Sequence, residues 1–328
     1  MSRKHTRIAA AVIAAGVALV GCGAGGSGGG GKAAGAVNRL EIMAPADPGG
    51  GWDQTARSMQ ASITGADLVK SVQVSNVGGA GGTVGLKKLA NEKSETFLMV
   101  TGLVMVGAVE TNGSDVRMED TTPIARLTAE DEVVVVPADS PFKTVADLLA
   151  AVKDKGTGVR FTGGSAGGTD HILAAMLIKS AGLTPDKLNY VPYSGGGESL
   201  AALLGNQVDV GISGVGEYRE QVKAGKLRAL ATSGSKVHED LNAPTLAEQG
   251  VELINWRGVV APKNLAPEAK DKLVKLVTDM RASQQWKDEV AKKGWTDTFL
   301  SGTEFEVFLK DEVSRVQPIL GELGLVKK

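Results

Sequence analysis

One cysteine and three histidines in 328 residues leave little material for covalent staples or metal chemistry. Cys22 has no partner within the chain, so an exported form carries no internal disulfide and must be held by its core. His5, His171 and His238 fit no metal-ligand spacing, and no cofactor is expected. Positive charge is not in excess either. The 36 Lys and Arg are offset by 37 Asp and Glu, and three of the cations, Arg3, Lys4 and Arg7, sit at the extreme N-terminus. That balance argues against nucleic acid as a partner and against a long-range field that collects anions. Long apolar runs are also missing. Ile8 to Val20 is too short for a comfortable membrane span.

What stands at the N-terminus instead is a basic region, that apolar run and Leu19-Val20-Gly21-Cys22. This reads as a signal peptide over residues 1–21, with Cys22 where bacterial lipoproteins are cleaved and lipidated. Gly23 to Ala36 is nearly all Gly, Ala and Ser, so residues 22–36 form a lipidated cysteine and flexible tether. The expected location is the outer face of the cell membrane, held by the lipid.

Glycine is abundant, with 44 residues, and it is concentrated where strands give way to helices. The stretch PADPGGGWDQTARSMQ, Pro45 to Gln60, follows an apolar strand, passes three glycines and enters a helix with Ala56, Met59 and Ile63 at helical spacing. Bare backbone N–H groups at a helix N-terminus make an anion site that needs no basic side chain. The stretch lacks the Lys-Ser/Thr pair of a phosphate loop, which favours a carboxylate. The bland alternative is a tight turn with Asp53 as N-cap.

Strands and helices then alternate: strands at 72–76 and 96–100, helices at 83–90 and 103–110, with NVGGAGGTVG forming a second glycine loop. This βα repetition predicts a parallel sheet. Asp131 to Pro137 reads as a buried strand with a crossover near Val136 to Phe142, and a second βα series runs to Thr232. Ile254 to Val260 crosses back. Helices at 267–281, 284–293 and 303–323 pack on the first domain, the last through Phe305, Phe308, Leu309, Val316 and Leu320. The expected fold is α/β, with two doubly wound domains joined by a hinge. Domain 1 comprises 37–138 plus 252–328 and domain 2 comprises 139–251. In the second series FTGGSAGGTDHILAAM and YSGGGESLAAL repeat the strand, glycine loop, helix device, which places two sets of loops across a cleft that opens and shuts.

Five segments, PADPGGGWDQTAR, NVGGAGG, GGSAGGTDHILA, YSGGGE and NWRGVVAP, together resemble the Bug-type substrate-binding receptors of tripartite tricarboxylate transporters over the whole mature chain. The resemblance implies a type II periplasmic-binding-protein-like fold, a di- or tricarboxylate ligand such as citrate, a membrane permease as partner, a monomeric receptor and no catalysis. It implies ligand contacts at Gly50, Gly51, Trp52, Asp53, Gly81 and Gly82, and across the cleft at Ser165, Gly168, Thr169, Asp170 and His171, with Tyr193 and Ser194 beside them. Arg257 lies in the return crossing.

Each residue also has a plainer reading. Asp53 and Asp170 stand where helices begin, and capping suits them better than contact with an anion they would repel. His171 in a first helical turn reads as solvated, Tyr193 as the edge of a core, and Arg257 as the partner of a hinge carboxylate. A rival from another class is an exported serine hydrolase, since Gly163-Gly164-Ser165-Ala166-Gly167 fits G-x-S-x-G and Asp209 and His238 follow in order.

Overall fold

Apolar strands need cover on both faces, and helices supply it here around a mixed sheet. The computed structural model describes residues 37–193, 196–235 and 237–326, which fall in one compact unit, Gly35–Lys328. The expected signal peptide, Cys22, tether and Ser194 lie outside the described residues.

Strands β1 (Arg39–Ala44), β2 (Ser71–Asn76) and β3 (Phe97–Gly102) pair in parallel with β1 in the middle. Helices α1 (Gly51–Gly65), α2 (Thr83–Leu89) and α3 (Leu103–Thr111) follow them in turn. The next strand, β4, runs from Thr121 to Pro137 and is more than twice as long as the expected Asp131–Pro137 strand. It is antiparallel to all its neighbours, so the sheet is mixed rather than parallel throughout. Pro123, which cannot donate to a ladder, sits at a register shift of the β4 pairing.

The second series holds α4 (Val145–Lys155), β5 (Arg160–Gly163), α5 (Thr169–Ser180), β6 (Asn189–Pro192), α6 (Gly196–Leu204), β7 (Val210–Gly214), α7 (Val215–Lys223) and β8 (Leu227–Thr232). The start of α4 was legible in TVAD: Thr144 Oγ1 accepts from Asp147 N at 3.1 Å, and Asp147 Oδ2 accepts from Thr144 N at 2.9 Å. Then come β9 (Ile254–Pro262), α8 (Pro267–Ala282), α9 (Gln284–Lys293), β10 (Thr296–Ser301) and α10 (Thr303–Glu322). Strand order is β2-β1-β3-β9-β4-β7-β5-β6, with β8 and β10 also on β4.

β4 changes partners partway along. From Thr121 to Asp131 it pairs with β9, and β10 joins it along this part; from Glu132 to Pro137 it pairs with β7 and β8. The change falls upstream of Val136 to Phe142. Val133 to Val136 are fully buried, with Val133 and Val135 in one core and Val134 and Val136 in the other, as side-chain alternation along a strand requires. In α10, Phe305, Leu309, Val316 and Leu320 are buried as expected, and Trp256 of β9 meets Phe305 edge-on at 5.9 Å.

Candidate functional site

Gly49, two residues before α1, has positive φ (+92°), and the N-cap is Gly50, in extended conformation and with no side-chain cap bond. Asp53 is therefore not the N-cap. It is third in the helix, 3% exposed, and its carboxylate accepts from Gly49 N (2.8 Å), Arg57 Nε (2.9 Å) and Asn76 Nδ2 (2.9 Å). Burial pushes its pKa up, but the bonds from Arg57, Gly49 and Asn76 together hold it below the usual value. Asp53 thus ties the loop to the end of β2 and turns its charge away from any anion. The third glycine has its own reason: a Cβ on Gly51 would stand 2.8 Å from Arg257 Nη2, so only glycine lets that guanidinium approach.

Arg257 is 6% exposed, bonded to Glu130 Oε2 at 2.9 Å, with its guanidinium 5.3 Å from the Trp295 ring. Arg257 is thus the partner of a carboxylate on β4, and the same side chain also faces the first loop. Glu130 Oε1 accepts from Gly216 N of α7 at 2.9 Å, so one carboxylate spans β9 and the start of α7.

The loops meet on α3. A Cβ on Gly82 (φ +93°) would stand 2.5 Å from Trp52 Cζ3, and one on Gly81 (φ +60°) 2.6 Å from Ala108 Cβ. From the other side, a Cβ on Gly107 would stand 2.0 Å from Gly167 O, and one on Gly168 3.6 Å from Val104 Cγ1. The structure thus brings together Gly50, Gly51, Trp52, Gly81, Gly82 and Gly168. The sequence reading missed α3 as their meeting place, although Gly107-Ala108 inside an apolar helix marks a close approach.

In the second series Ser165 O accepts from Gly168 N at 2.9 Å, closing the turn. Thr169 is 1% exposed, and its Oγ1 has no hydrogen-bond partner among the described residues. Asp170 accepts from Gly164 N at 2.5 Å, and His171 Nδ1 accepts from Gly167 N at 3.1 Å. His171 stacks on Tyr190 at 4.1 Å, and Tyr190 Oη donates to Gly164 O at 3.0 Å. The expectation of a solvated His171 is wrong: it is 8% exposed, and burial lowers its pKa to about 4. The neutral ring, accepting at Nδ1, carries its proton on Nε2. Burial, helped by the charge of Glu217, raises Asp170 to about 7 despite the Gly164 bond. Tyr193 is half-buried against the second core and fits its plainer reading.

Beside Asp170 lies a residue the sequence did not single out. Glu132 is 0% exposed and faces Asp170 and Asn255. Burial, and then the charges of Asp170, Glu130 and Glu217, push its pKa well up. With Glu130 neutralised by Arg257 and protons favoured on Glu132 and Asp170, this patch is far less negative than its residue count suggests.

A hydrolase triad is not assembled. Asp209 is committed to Arg160 through Nη2 (2.9 Å), Nε (3.0 Å) and the backbone N (2.8 Å), and His238 Nε2 to Asp131 Oδ2 at 2.8 Å. Two surface hollows, of about 430 Å3 beside Lys143 and Arg228 and about 480 Å3 beside Gln60 and Lys70, are lined by other residues than these loops.

The geometry places several helix ends in one region. α1, α3, α5 and α7 have glycine N-caps, Gly50, Gly102, Gly168 and Gly214, without side-chain cap bonds. Of the other helices, α4 and α9 are capped by Thr144 and Ser283, while α2, α8 and α10, with Gly82, Ala266 and Gly302 as N-caps, have no side-chain cap bond. Each uncapped end carries about half a positive charge. The chain is similar to known proteins. The protein BugT of Bordetella pertussis is 25% identical over 298 residues, 87% of this chain and 89% of its own. MatC from Rhodopseudomonas palustris, solved with bound malate, has a TM-score of 0.71 at 21% identity, covering 86% of this chain and 99% of its own. An R. palustris protein solved with adipate has a TM-score of 0.75 at 20% identity, covering 88% and 98%. These structures share the α/β fold. The family model described as the tripartite tricarboxylate transporter family receptor matches residues 55–325, and the chain belongs to that family.

Proposed function

We propose that this protein is an exported, lipid-anchored receptor that captures a small di- or tricarboxylate between two lobes and delivers it to a membrane permease, without chemistry of its own. The observation that carries the reading is the gathering of the bare N-termini of α1, α3 and α5 around the glycine loops, with Arg257 beside Gly51 and the unpartnered Thr169 Oγ1 at the start of α5. Fixed dipoles of this kind favour an anion locally while the chain as a whole stays near neutral. The lobes are residues 37–138 plus 252–328 and residues 139–251, with β4 and β9 as the hinge. One carboxylate docks on the first loop, the far end of the ligand recruits Ser165 to His171, and closure forms the surface that the permease reads. Malate and adipate in the two similar structures support carboxylate chemistry without fixing the ligand as citrate.

A thermal-shift screen of small carboxylates tests the reading. A ligand that binds only the folded state raises the melting temperature, by linkage worth about 2.7 kcal/mol at a hundredfold excess over Kd. Stabilisation by carboxylates but not by amines or neutral sugars is expected; a panel without any carboxylate response contradicts the proposal. The anchor is wrong if Cys22→Ser still fractionates with membranes as the parent does.

A further inference from the structure

The glycine loops before α1 and α5 are folded on the same device with opposite partners. In each, an aspartate in the first turn of the helix accepts from a loop N–H: Asp53 from Gly49 N at 2.8 Å, and Asp170 from Gly164 N at 2.5 Å. Asp53 is then countered by Arg57, bonded at 2.9 Å. Asp170 faces an acid instead, the fully buried Glu132 of β4. The Glu132 backbone is fixed by Ser233, since Glu132 N donates to Ser233 Oγ and Glu132 O accepts from Ser233 N, both at 2.9 Å. No ion pair among the described residues includes Asp170 or Glu132. The loop follows Asp170 closely: a Cβ on Gly163 would stand 2.6 Å from Asp170 Cβ and 2.6 Å from Tyr190 Oη.

The other groups around this pair do not compete for its proton. Glu130, on the same face of β4, is bonded to Arg257 Nη2 and to Gly216 N, each at 2.9 Å, and Glu217 of α7 accepts from Ser213 Oγ at 2.8 Å. Asn255 of β9 contributes an uncharged amide. His171 of α5 is neutral above about pH 4, and burial raises Tyr190 of β6 and Tyr218 of α7, so none of the three changes charge near neutrality. Asp131, with its partner His238, is the preceding residue of β4 and so points to the opposite face.

We propose that Glu132 is a positioning residue that holds one proton in common with Asp170, and that capture of a carboxylate by the loop at the start of α5 is coupled to that proton, so affinity falls as pH rises past neutrality. This rests on the carboxylate reading above and adds a proton to it. With one proton between them, one carboxyl donates to the other, and Asp170 keeps its bond to Gly164 N. With none, two buried charges repel each other, which loosens the loop and puts extra negative charge beneath the N-terminus that a ligand carboxylate needs. Burial raises both acids, so the change falls at neutral pH and above rather than in the usual carboxylate range. Linkage requires the reverse effect as well: an anion bound while the pair keeps its proton makes that proton harder to remove, so binding at alkaline pH takes protons up.

Calorimetric titration of the mature chain with malate, succinate and adipate tests this at about pH 6.5 and about pH 8.5, where both carboxyls of each diacid are essentially ionised. Two buffers of different ionisation enthalpy give the proton count, and circular dichroism confirms folding. Affinity of the parent should fall at least about fivefold between the two pH values, with net proton uptake at the higher one. Glu132→Gln, which cannot ionise, should reduce that fall to less than about twofold and remove the uptake, a change that a merely structural role of Glu132 would not produce. A parent that keeps its affinity across the range and exchanges no proton overturns the coupling, and a folded Glu132→Gln with the pH profile of the parent overturns the assignment to Glu132. If Glu132→Gln does not fold, Asp170→Asn decides by the same flattening or its absence. A parent that binds none of the three diacids at either pH overturns the carboxylate reading itself and the coupling with it, an outcome distinct from binding that ignores pH.

Discussion

Asp170 and His171 are neighbours whose burial shifts their pKa values in directions that oppose each other in stability. Asp170 keeps its proton up to about pH 7 in the folded state, so its contribution is full below the unfolded carboxylate value near 4 and is lost as pH rises toward 7. His171, lowered to about 4, contributes stability that is present above its unfolded value near 6.5 and is lost as pH falls toward 4. Between about pH 4 and 6.5 the two slopes oppose each other. Glu132, which faces Asp170 and is also raised by burial, acts on the Asp170 side. Asp170→Asn should remove the descending contribution, so that melting temperature climbs with pH across this window more steeply than in the parent. Parallel curves for parent and variant would show that Asp170 does not hold a proton there. Neither shift was visible in TDHILA: the partners that bury these groups are Gly164, Gly167 and Tyr190 from the preceding loop and from β6, and Glu132 from a strand nearly forty residues earlier.

Among the elements, the helices were the most legible, because 3.6-residue spacing and the caps of α4 and α9 are local properties of the sequence. The strands were legible where they are continuously apolar, and this is why the second half of β4 stood out in VVVV. Its first half carries Pro123, Arg126 and Glu130, each tolerated for a tertiary reason: a register shift, a guanidinium 4.2 Å from the Phe308 ring, and the ion pair with Arg257. Polar β10, TDTFLS, went unseen for the same reason. Parallel pairing was legible where βα units repeat, among β1 to β3 and β5 to β7, whereas the antiparallel pairing of β4 and β9 was not, since β9 reaches β3 and β4 from more than a hundred residues away. Glu130 is the point where β4, β9 and α7 are tied together, and both members of its ion pair are over nine-tenths buried. Leaving a buried charge without its partner costs about 3–5 kcal/mol, whereas replacing both members by apolar groups is often neutral. Glu130→Gln should therefore destabilise by about 3 kcal/mol in urea unfolding, and Arg257→Met added to it should recover most of that loss. A single-variant loss under about 0.5 kcal/mol would remove the ion pair from the account of how β4, β9 and α7 are held together.

At the scale of the molecule, an almost neutral chain is proposed to hold an anion by local dipoles, with glycines doing the work that basic side chains do elsewhere. The candidate site was legible as a set of glycine loops because each sits between a strand and a helix. The reason for particular glycines was not, since it lies in distant contacts: Gly51 against Arg257, Gly82 against Trp52, Gly107 against Gly167. Such a site should depend weakly on salt, because short-range fixed dipoles are screened far less than a field spread over the surface. Its most direct test is calorimetry of Gly51→Val with the best carboxylate ligand of the parent, alongside circular dichroism. The added side chain meets the far end of the Arg257 side chain rather than backbone, so the fold should persist, while the approach to the first-loop N–H groups is blocked. The account expects affinity to fall by about a hundredfold or more in a folded variant, and unchanged affinity in that folded variant would contradict it.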